Sequence, residues 1–134
     1  MIYGIGVDLI KIERIEKVIG KWGDRFIERV FTPLERETCF NRAYPPSAFS
    51  LRFAAKEAFV KALGLGVEKG VRWRDIEIFN HTGGRPGLKL QGKSLEICEN
   101  EHINGFYLSL SDEKEYGIAM VVLEMNNDEI GQGI

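Results

Sequence analysis

The segment from Ser50 to Gly64 constrains the fold more than any other stretch, because it is predicted to form a long helix with an unusual charge pattern. It contains no proline, and glycine occurs only at its end, where helices commonly stop. At about 100° per residue, its small and apolar residues share one broad face, so another element can pack close against it. That face comprises Leu51, Ala54, Ala55, Ala58, Phe59 and Ala62.

The four charged residues of this helix form two narrow stripes with apolar residues between them. Arg52 and Lys56 make one stripe, and Glu57 and Lys61 make the other. A surface helix usually gathers its charges on one side, so we expect some of these groups to be half-buried and to need partners. Glu57 and Lys61 could instead pair with each other along the helix, and their spacing leaves both interpretations open.

Composition predicts one domain over residues 1–125, followed by a polar tail over 126–134. The net charge of -2 argues against general nucleic-acid binding. The chain has no apolar run of membrane-spanning length and no signal-peptide pattern, and we expect a cytoplasmic protein without membrane contact. Cys39 and Cys98 have no metal-ligand spacing and are expected to be reduced.

The order of the elements predicts an α+β fold, with an antiparallel sheet packed against the long central helix. Thr32, Pro33 and Glu35 form a helix-start signature in which threonine and glutamate cap each other. Loops are expected at 43–47 and 64–70. Strands are predicted at 1–7, 75–79, 88–90, 106–111 and 117–124, and the other helices at 9–19, 33–42 and 93–101.

Asp8 ends the first predicted strand, which Gly4 and Gly6 interrupt. Glycine weakens a strand unless another backbone or a ligand must come close. An acidic residue at such a position can bind a ligand, but it can also cap the helix that follows. This stretch alone favours the cap.

Basic residues recur every three or four positions after the first strand. Such a stripe is usually only a solvated helix face, but here it has a single sign in a slightly acidic chain, which makes docking of an acidic partner plausible. The run contains Lys11, Arg14, Lys17 and Lys21, and Arg25 and Arg29 extend it.

Few residues of this chain are suited to chemistry. His81 and His102 each stand alone, and the dinucleotide and phosphate-loop fingerprints are missing from the sequence. Carboxylates combined with cations suit magnesium and phosphate chemistry, because magnesium takes few protein carboxylates and the cations neutralise phosphate. Spacing permits this chemistry without selecting it. The candidates are Asp8, Glu57, Lys61 and Arg52.

Three segments in order resemble the holo-acyl-carrier-protein synthases, a family of small bacterial 4'-phosphopantetheinyl transferases. The first is Gly4–Ile10 with Arg14 and Ile15, and the second is the helix segment Arg52–Gly64. The third is the predicted hairpin, with Trp73, residues 75–78, Asn80 and Gly84-Arg85-Pro86, where Arg85 replaces a common lysine. The resemblance extends from Ile2 to Glu124.

The resemblance implies a reaction of fatty acid biosynthesis. A serine hydroxyl of an apo-acyl carrier protein attacks the β-phosphate of coenzyme A, and adenosine 3',5'-bisphosphate leaves. By the same resemblance, Asp8 and Glu57 would hold Mg²⁺ on the pyrophosphate. Glu57 is the candidate base, and Lys61 would contact the phosphates or the attacking oxygen.

The resemblance also assigns binding residues and an assembly. Arg52 would face the 3'-phosphate of coenzyme A, and Lys61, Gly64, Pro86 and Ser109 would complete the coenzyme A site. A homotrimer with its sites between subunits is implied. The acidic helix of the carrier protein would dock on a basic surface made of Arg14, Lys21, Arg25 and Arg29.

One position departs from the family pattern. Tyr107 stands where the family usually has histidine, and near pH 7 tyrosine is neutral and a poor base. This residue is the one feature that favours an alternative from another class, a catalytically silent module that binds coenzyme A or an acidic partner. A plain structural trimer is a third hypothesis. The combined presence of Asp8, Glu57 and Lys61 favours the enzyme.

Overall fold

The computed structural model describes residues 1–64 and 70–126. Among these residues most helices come early in the chain and most strands come late, as expected for an α+β fold. The strands are β1 (Ile2–Lys11), β2 (Ile76–Asn80), β3 (Pro86–Leu90), β4 (Ile103–Glu113) and β5 (Tyr116–Met125). The helices are α1 (Ile12–Trp22), α2 (Asp24–Val30), α3 (Pro33–Phe40), α4 (Pro45–Leu63) and α5 (Gly92–Asn100), and a 3-10 turn spans Trp73–Asp75.

The strands form two antiparallel sheets. The larger has the order β1-β5-β4, and β2 and β3 form a separate hairpin. The central helix α4 packs on one face of the larger sheet, against β1 and β5. Side chains alternate between the two faces, so β5 buries Ala119, Val121 and Leu123 under the helix. The predicted α+β fold, with an antiparallel sheet against the central helix, is confirmed.

The backbone of β1 packs directly against the backbone of α4, with no side chain between them. A Cβ atom at Gly4 would stand 2.0 Å from the carbonyl oxygen of Ala62, and one at Gly6 would stand 1.8 Å from that of Ala58. No side chain fits in so little space, and alanine on the helix keeps the other side of the contact small. The glycines that weaken β1 as a strand therefore allow it to approach the helix.

The first strand continues past the point where the sequence analysis ended it. β1 runs to Lys11 because its last residues pair with β5, with Leu9 opposite Ile118 and Ile10 opposite Gly117. The predicted boundary at residue 7 is wrong, and α1 begins at Ile12 rather than at residue 9. Asp8 therefore lies within a strand.

The central helix begins earlier than predicted. It starts at Pro45, so the loop expected at 43–47 is only partly present. Proline is tolerated in the first helical turn, where its missing N–H would have no intrahelical partner. The helix ends as predicted at Gly64, whose φ of 74° is left-handed. Residues 65–69 of the predicted 64–70 loop lie outside the described residues.

The basic run is divided between two helices. Gly23 has a φ of 55°, ends α1 and precedes α2. The predicted helix at 9–19 did not include Arg25 and Arg29, and the structure places both on α2, after the left-handed backbone of Gly23 changes the chain direction. The capping box of α3 is confirmed, since Thr32 and Glu35 cap each other.

Lys56 and Glu35 form an ion pair that is buried on both sides. The Lys56 ammonium lies 2.7 Å from Glu35 Oε1 and also donates to the carbonyls of Val30 at 2.7 Å and Trp73 at 3.0 Å. The second Glu35 oxygen accepts from the Ile78 N–H at 2.8 Å. Burial lowers the pKa of Lys56, and the Glu35 charge opposes that shift. This network joins α2, α3, α4, the 3-10 turn and β2, and it confirms that charges of α4 are buried with partners.

Cys39 and Cys98 are free and buried, and burial raises the pKa of each thiol to about 11. Such thiols react slowly at neutral pH, because the thiolate is the reactive form. Among the described helices, none combines the length and the apolar character needed to cross a membrane.

Substitution of Gly6 by alanine tests the backbone contact. We expect Gly6→Ala to lower the free energy of unfolding by about 3 kcal/mol or more, since the added methyl group meets a backbone carbonyl that cannot move aside. Gly20→Ala is the matched control. It adds the same group in α1, where no atom lies within 4 Å, and should stabilise the protein by up to about 1 kcal/mol. Urea denaturation measures both, and equal stabilities would contradict the proposed packing constraint.

Candidate active site

Asp8 and Lys61 meet between β1 and α4. Asp8 follows Gly6 by two residues, so its side chain points to the same face as the glycine and reaches the helix. The Lys61 ammonium donates to Asp8 Oδ1 at 2.9 Å and to the Val7 carbonyl at 3.0 Å. The Asp8 side chain is 9% exposed and that of Lys61 is 55% exposed.

Asp8 does not cap α1. The residue at the N-cap position is Lys11, which makes no side-chain capping bond. The capping interpretation of Asp8 is therefore wrong, because the strand continues for three residues beyond it. The carboxylate is free to take part in the contact with α4.

Glu57 completes a cluster with Asp8 and Lys61. Burial raises the pKa of Glu57, and so do the charge of Asp8 and a hydrogen bond to it. Lys61 and Arg14 act in the opposite direction. The two carboxyl groups therefore lie close enough to repel each other when both are ionised, with two cations nearby. The hydrogen bond of Lys61 goes to Asp8, so the simple helix pair of Glu57 and Lys61 does not describe this cluster.

This donor set fits a divalent cation of the magnesium type. Two adjacent carboxylates gain from a shared cation, because it removes the repulsion between them. In the described part of the chain, groups of three or more His, Cys, Asp or Glu side chains with ligand geometry do not occur. Magnesium tolerates this, since it retains waters and takes phosphate oxygens as further ligands. Asp8 and Glu57 would supply the protein ligands, and Lys61 and Arg14 would face the phosphates.

A second polar cluster surrounds Asn80 at the end of β2. Its side-chain oxygen accepts from Arg52 of α4 at 2.9 Å and from Arg42 at 3.3 Å, and its amide donates to the Gly84 carbonyl at 3.0 Å. Asn80 also pairs with Pro86 across the hairpin. The structure therefore brings together Arg52 and Pro86, two residues that the sequence analysis assigned to coenzyme A.

Arg52 is only 4% exposed, and it retains unused hydrogen-bonding capacity. One terminal nitrogen donates to the Ala48 carbonyl at 3.3 Å and the other to Asn80. Its buried Nε has no hydrogen-bond partner among the described residues. Arg42 was not predicted as a site residue, because the sequence pattern placed it at the end of the helix predicted at 33–42, whereas α3 ends at Phe40. Only its contact with Asn80 reveals its position.

Ser109 and Tyr107 lie on the other face of the large sheet. Their neighbours in β4, Phe106, Leu108 and Leu110, pack against the core, so the alternating residues face outwards. One chain by itself does not bring Ser109 to Asp8. The Tyr107 hydroxyl donates to Glu124 at 3.1 Å, and this bond and the Glu124 charge raise the pKa of Tyr107.

The predicted basic surface is not one uniform patch. Arg14 lies near Glu57, whereas Lys21 and Arg25 flank the exposed ring of Trp22 at 5.2 and 6.0 Å from its centre. Trp22 was missed, although a tryptophan beside a lysine in a surface helix is a usable signal for a contact surface. Arg29 lines a cavity at the C-terminal end of α2, away from Arg14.

Comparison with known proteins defines the class first. Residues 4–121 match the family model of the 4'-phosphopantetheinyl transferase superfamily. The chain therefore belongs to this superfamily.

Relatives at high coverage narrow the class to one family, the holo-[acyl-carrier-protein] synthases. The synthase of Syntrophus aciditrophicus is 45% identical over 124 residues, which cover 92% of this chain and 97% of the relative. The synthase of Geobacter sulfurreducens is 44% identical, with coverages of 92% and 98%. This confirms the family resemblance found in the sequence.

Solved structures agree with this assignment. The holo-[acyl-carrier-protein] synthase of Neisseria meningitidis superposes with a TM-score of 0.86 at 37% identity, covering 92% of this chain and 99% of the other. A synthase of Helicobacter pylori in complex with coenzyme A gives a TM-score of 0.79 at 32% identity, with coverages of 90% and 99%.

The raised pKa of Glu57 predicts a pH-dependent stability difference in metal-free protein. Ionisation of Glu57 destabilises the folded protein because the carboxyl group is partly buried and lies beside Asp8. This penalty is absent below the pKa of unfolded glutamate and develops as the pH rises through the higher folded pKa. Glu57→Gln should therefore raise the Tm relative to wild type near pH 7, and this advantage should shrink towards pH 4. Thermal unfolding in EDTA measures it. A lower Tm for Glu57→Gln near pH 7 would show that Lys61 and Arg14 stabilise ionised Glu57 more than burial and Asp8 destabilise it.

Proposed function

We propose that the protein transfers the 4'-phosphopantetheine group of coenzyme A to a serine of apo-acyl carrier protein, with Mg²⁺, in the cytoplasmic synthesis of fatty acids. The observation that carries this proposal is the meeting of Asp8 from β1 with Glu57 and Lys61 from α4. These three side chains are the ones that the family resemblance assigns to the reaction. The coenzyme A complex of the Helicobacter pylori relative supports the choice of donor substrate.

The reaction exchanges one phosphorus–oxygen bond for another. The serine oxygen bonds to the β-phosphorus of coenzyme A, and the bond to adenosine 3',5'-bisphosphate breaks. Glu57 accepts the serine proton as the general base. When held by Asp8 and Glu57, Mg²⁺ supplies charge neutralisation on the pyrophosphate. Lys61 adds a hydrogen-bond donor to the same phosphates.

The nucleotide part of coenzyme A would occupy the region around Asn80. Arg52 offers a buried guanidinium group with an unpaired Nε, and Arg42 adds a second cation there. Guanidinium groups bind phosphate through paired hydrogen bonds, which suits the 3'-phosphate. Pro86, which pairs with Asn80 in the hairpin, would line the adjoining wall. Gly64 lies twelve residues after Arg52, about 18 Å further along α4, so it would contact a different part of coenzyme A.

The outer face of the large sheet supports a homotrimer. Leu9 and Ile118 lie opposite each other on β1 and β5, as do Val7 and Met120, and all four side chains are exposed in one chain. An apolar surface of this extent on a sheet favours contact with another copy. Ser109 and its strand lie on the same face, so in a trimer they could approach the carboxylate cluster of a neighbouring subunit.

The carrier protein would dock on the surface of α1 and α2. Arg14 lies near Glu57, so a partner held there presents its serine close to the cluster. Trp22 with its flanking cations, Lys21 and Arg25, offers both apolar area and positive charge. Tryptophan and arginine are common among residues that dominate binding energy at interfaces.

A transfer assay tests the proposal directly. We expect apo-acyl carrier protein incubated with the protein, coenzyme A and Mg²⁺ to gain the mass of one phosphopantetheine group. Intact-mass spectrometry measures this gain, and reactions without the protein or with EDTA are the controls. Binding of coenzyme A without a mass gain on several carriers would favour the silent binding module instead.

The metal ligands have a specific mutational signature. Asp8→Asn and Glu57→Gln should each fold but reduce turnover by about 100-fold or more, because loss of even an outer-shell partner of a metal costs about 10- to 100-fold. Higher Mg²⁺ should restore part of the activity. The double variant should be hardly slower than the slower single variant, since the two act as one unit.

Glu96→Gln, which removes a carboxylate on α5, is the matched control and should retain activity. Near-normal turnover in either metal-site variant at limiting Mg²⁺ would remove the metal pair from the mechanism.

Assembly can be tested on the outer face of the sheet. Met120→Glu should convert a trimer into monomers, because it places a charge in the proposed subunit contact. Leu95→Glu introduces the same charge at an exposed apolar residue of α5 and should leave the trimer intact. Sedimentation velocity measures both variants. A wild-type protein that is monomeric and active would refute the shared site.

A further inference from the structure

A groove lined by arginine side chains lies beside the C-terminal end of α2. It consists of a cavity of about 670 Å³ and two adjoining cavities of about 120 and 250 Å³, all of which Arg74 lines. Arg29 and Arg72 line the largest of them, and we call the three together the arginine groove. Asp8 and Glu57 do not line these cavities, so the groove is separate from the carboxylate cluster.

The guanidinium groups of the arginine groove lack partners. Within residues 1–64 and 70–126, Arg29, Arg72 and Arg74 make no ion pair and no side-chain hydrogen bond, and all three are exposed. Arg36 at the rim differs, because it pairs with Glu28 at 3.5 Å. The three unpaired cations therefore leave a positive potential in the groove.

Three acidic residues line the groove, and each lies beside a positive group. Glu28 pairs with Arg36 at 3.5 Å. Asp75 places its carboxylate against Gly92, where a Cβ atom would lie 2.7 Å from Asp75 Oδ2, at the positive N-terminal end of α5. Glu77 lies opposite Lys89 in the hairpin, and its charge also favours the ionised form of Lys56. These carboxylates do not cancel the arginines.

The groove is continuous with the basic surface of α2. Arg25 and Arg29 are four residues apart, so they share one face of this helix. Arg25 lies beside Trp22, and Arg29 lines the groove. A path of cations therefore runs from the end of α1, along α2, to Arg72 and Arg74.

We propose that the arginine groove binds a second acidic segment of the carrier protein, beyond the segment that docks on α1. This inference rests on the proposed function, which supplies the acidic partner. Three joined, open cavities fit an extended segment better than a compact small molecule. Exposed cations at such a rim accelerate association and select an acidic partner.

Kinetics of groove variants test this inference. Arg74→Gln should raise the KM for apo-acyl carrier protein about twofold, and Arg72→Gln/Arg74→Gln about fivefold, as expected for exposed charge pairs. The KM for coenzyme A and kcat should stay unchanged, and added salt should reduce the difference. Lys114→Asn is the matched control. It removes one cation in the turn between β4 and β5, at a left-handed position that asparagine accepts, and should not change the KM.

The possible outcomes are distinct. If the double variant and Lys114→Asn have the same KM for the carrier protein, the proposal that the groove binds the carrier is wrong, and the proposed transfer reaction is unaffected. An equal rise in the KM for coenzyme A also overturns the groove proposal, because the arginines then serve the nucleotide. If the wild-type protein transfers nothing, the proposed function is wrong. Calorimetric titration with apo-acyl carrier protein then tests separately whether the groove binds the carrier. Weaker binding by the double variant alone supports the groove proposal, and equal binding overturns it.

Discussion

The backbone contact between β1 and α4 is the constraint on which the rest of the structure depends. Gly4 and Gly6 let β1 approach α4 so closely that a Cβ atom at either position would lie within 2.0 Å of a helix carbonyl oxygen, that of Ala62 or Ala58. The same strand carries Asp8 two residues further, on the face that meets the helix. The separation of Asp8 from Glu57 and Lys61 is therefore fixed by main-chain atoms, which adjust far less readily than side chains.

The two charged stripes of α4 have separate tasks. Lys56 is locked to Glu35 in the interior, with each polar atom of the pair engaged, and it joins α4 to the elements on one side. Loss of either partner would leave a buried charge, which typically costs about 3–5 kcal/mol. Glu57 and Lys61 face β1, where Lys61 is half exposed and the carboxyl group of Glu57 lies beside that of Asp8. One stripe therefore secures the helix, and the other remains available to a ligand.

The sequence predicted the type of most elements, because helix and strand periodicities and the Thr32–Glu35 capping box act locally. It misplaced boundaries that depend on distant partners: β1 extends to Lys11 only because β5 pairs with it. The carboxylate cluster was predicted from a family resemblance rather than from residue spacing, because Asp8 and Glu57 lie on elements whose contact no local rule predicts. Arg42 and the arginine groove were not predicted for the same reason. Their residues are far apart in the chain and meet only through the hairpin and the end of α2.

At the proposed nucleotide site, the shared acceptor at Asn80 would make phosphate binding an exchange rather than a simple addition. Arg42 and Arg52 both donate to one side-chain oxygen of Asn80, while its amide holds the Gly84 carbonyl. A phosphate that reaches these arginines competes with a neutral acceptor, so its affinity reflects the difference between two sets of hydrogen bonds. The same exchange would release Asn80 and loosen its hold on the hairpin turn. Phosphate binding at the arginines and the order of that turn would then be thermodynamically linked, each altering the free energy of the other.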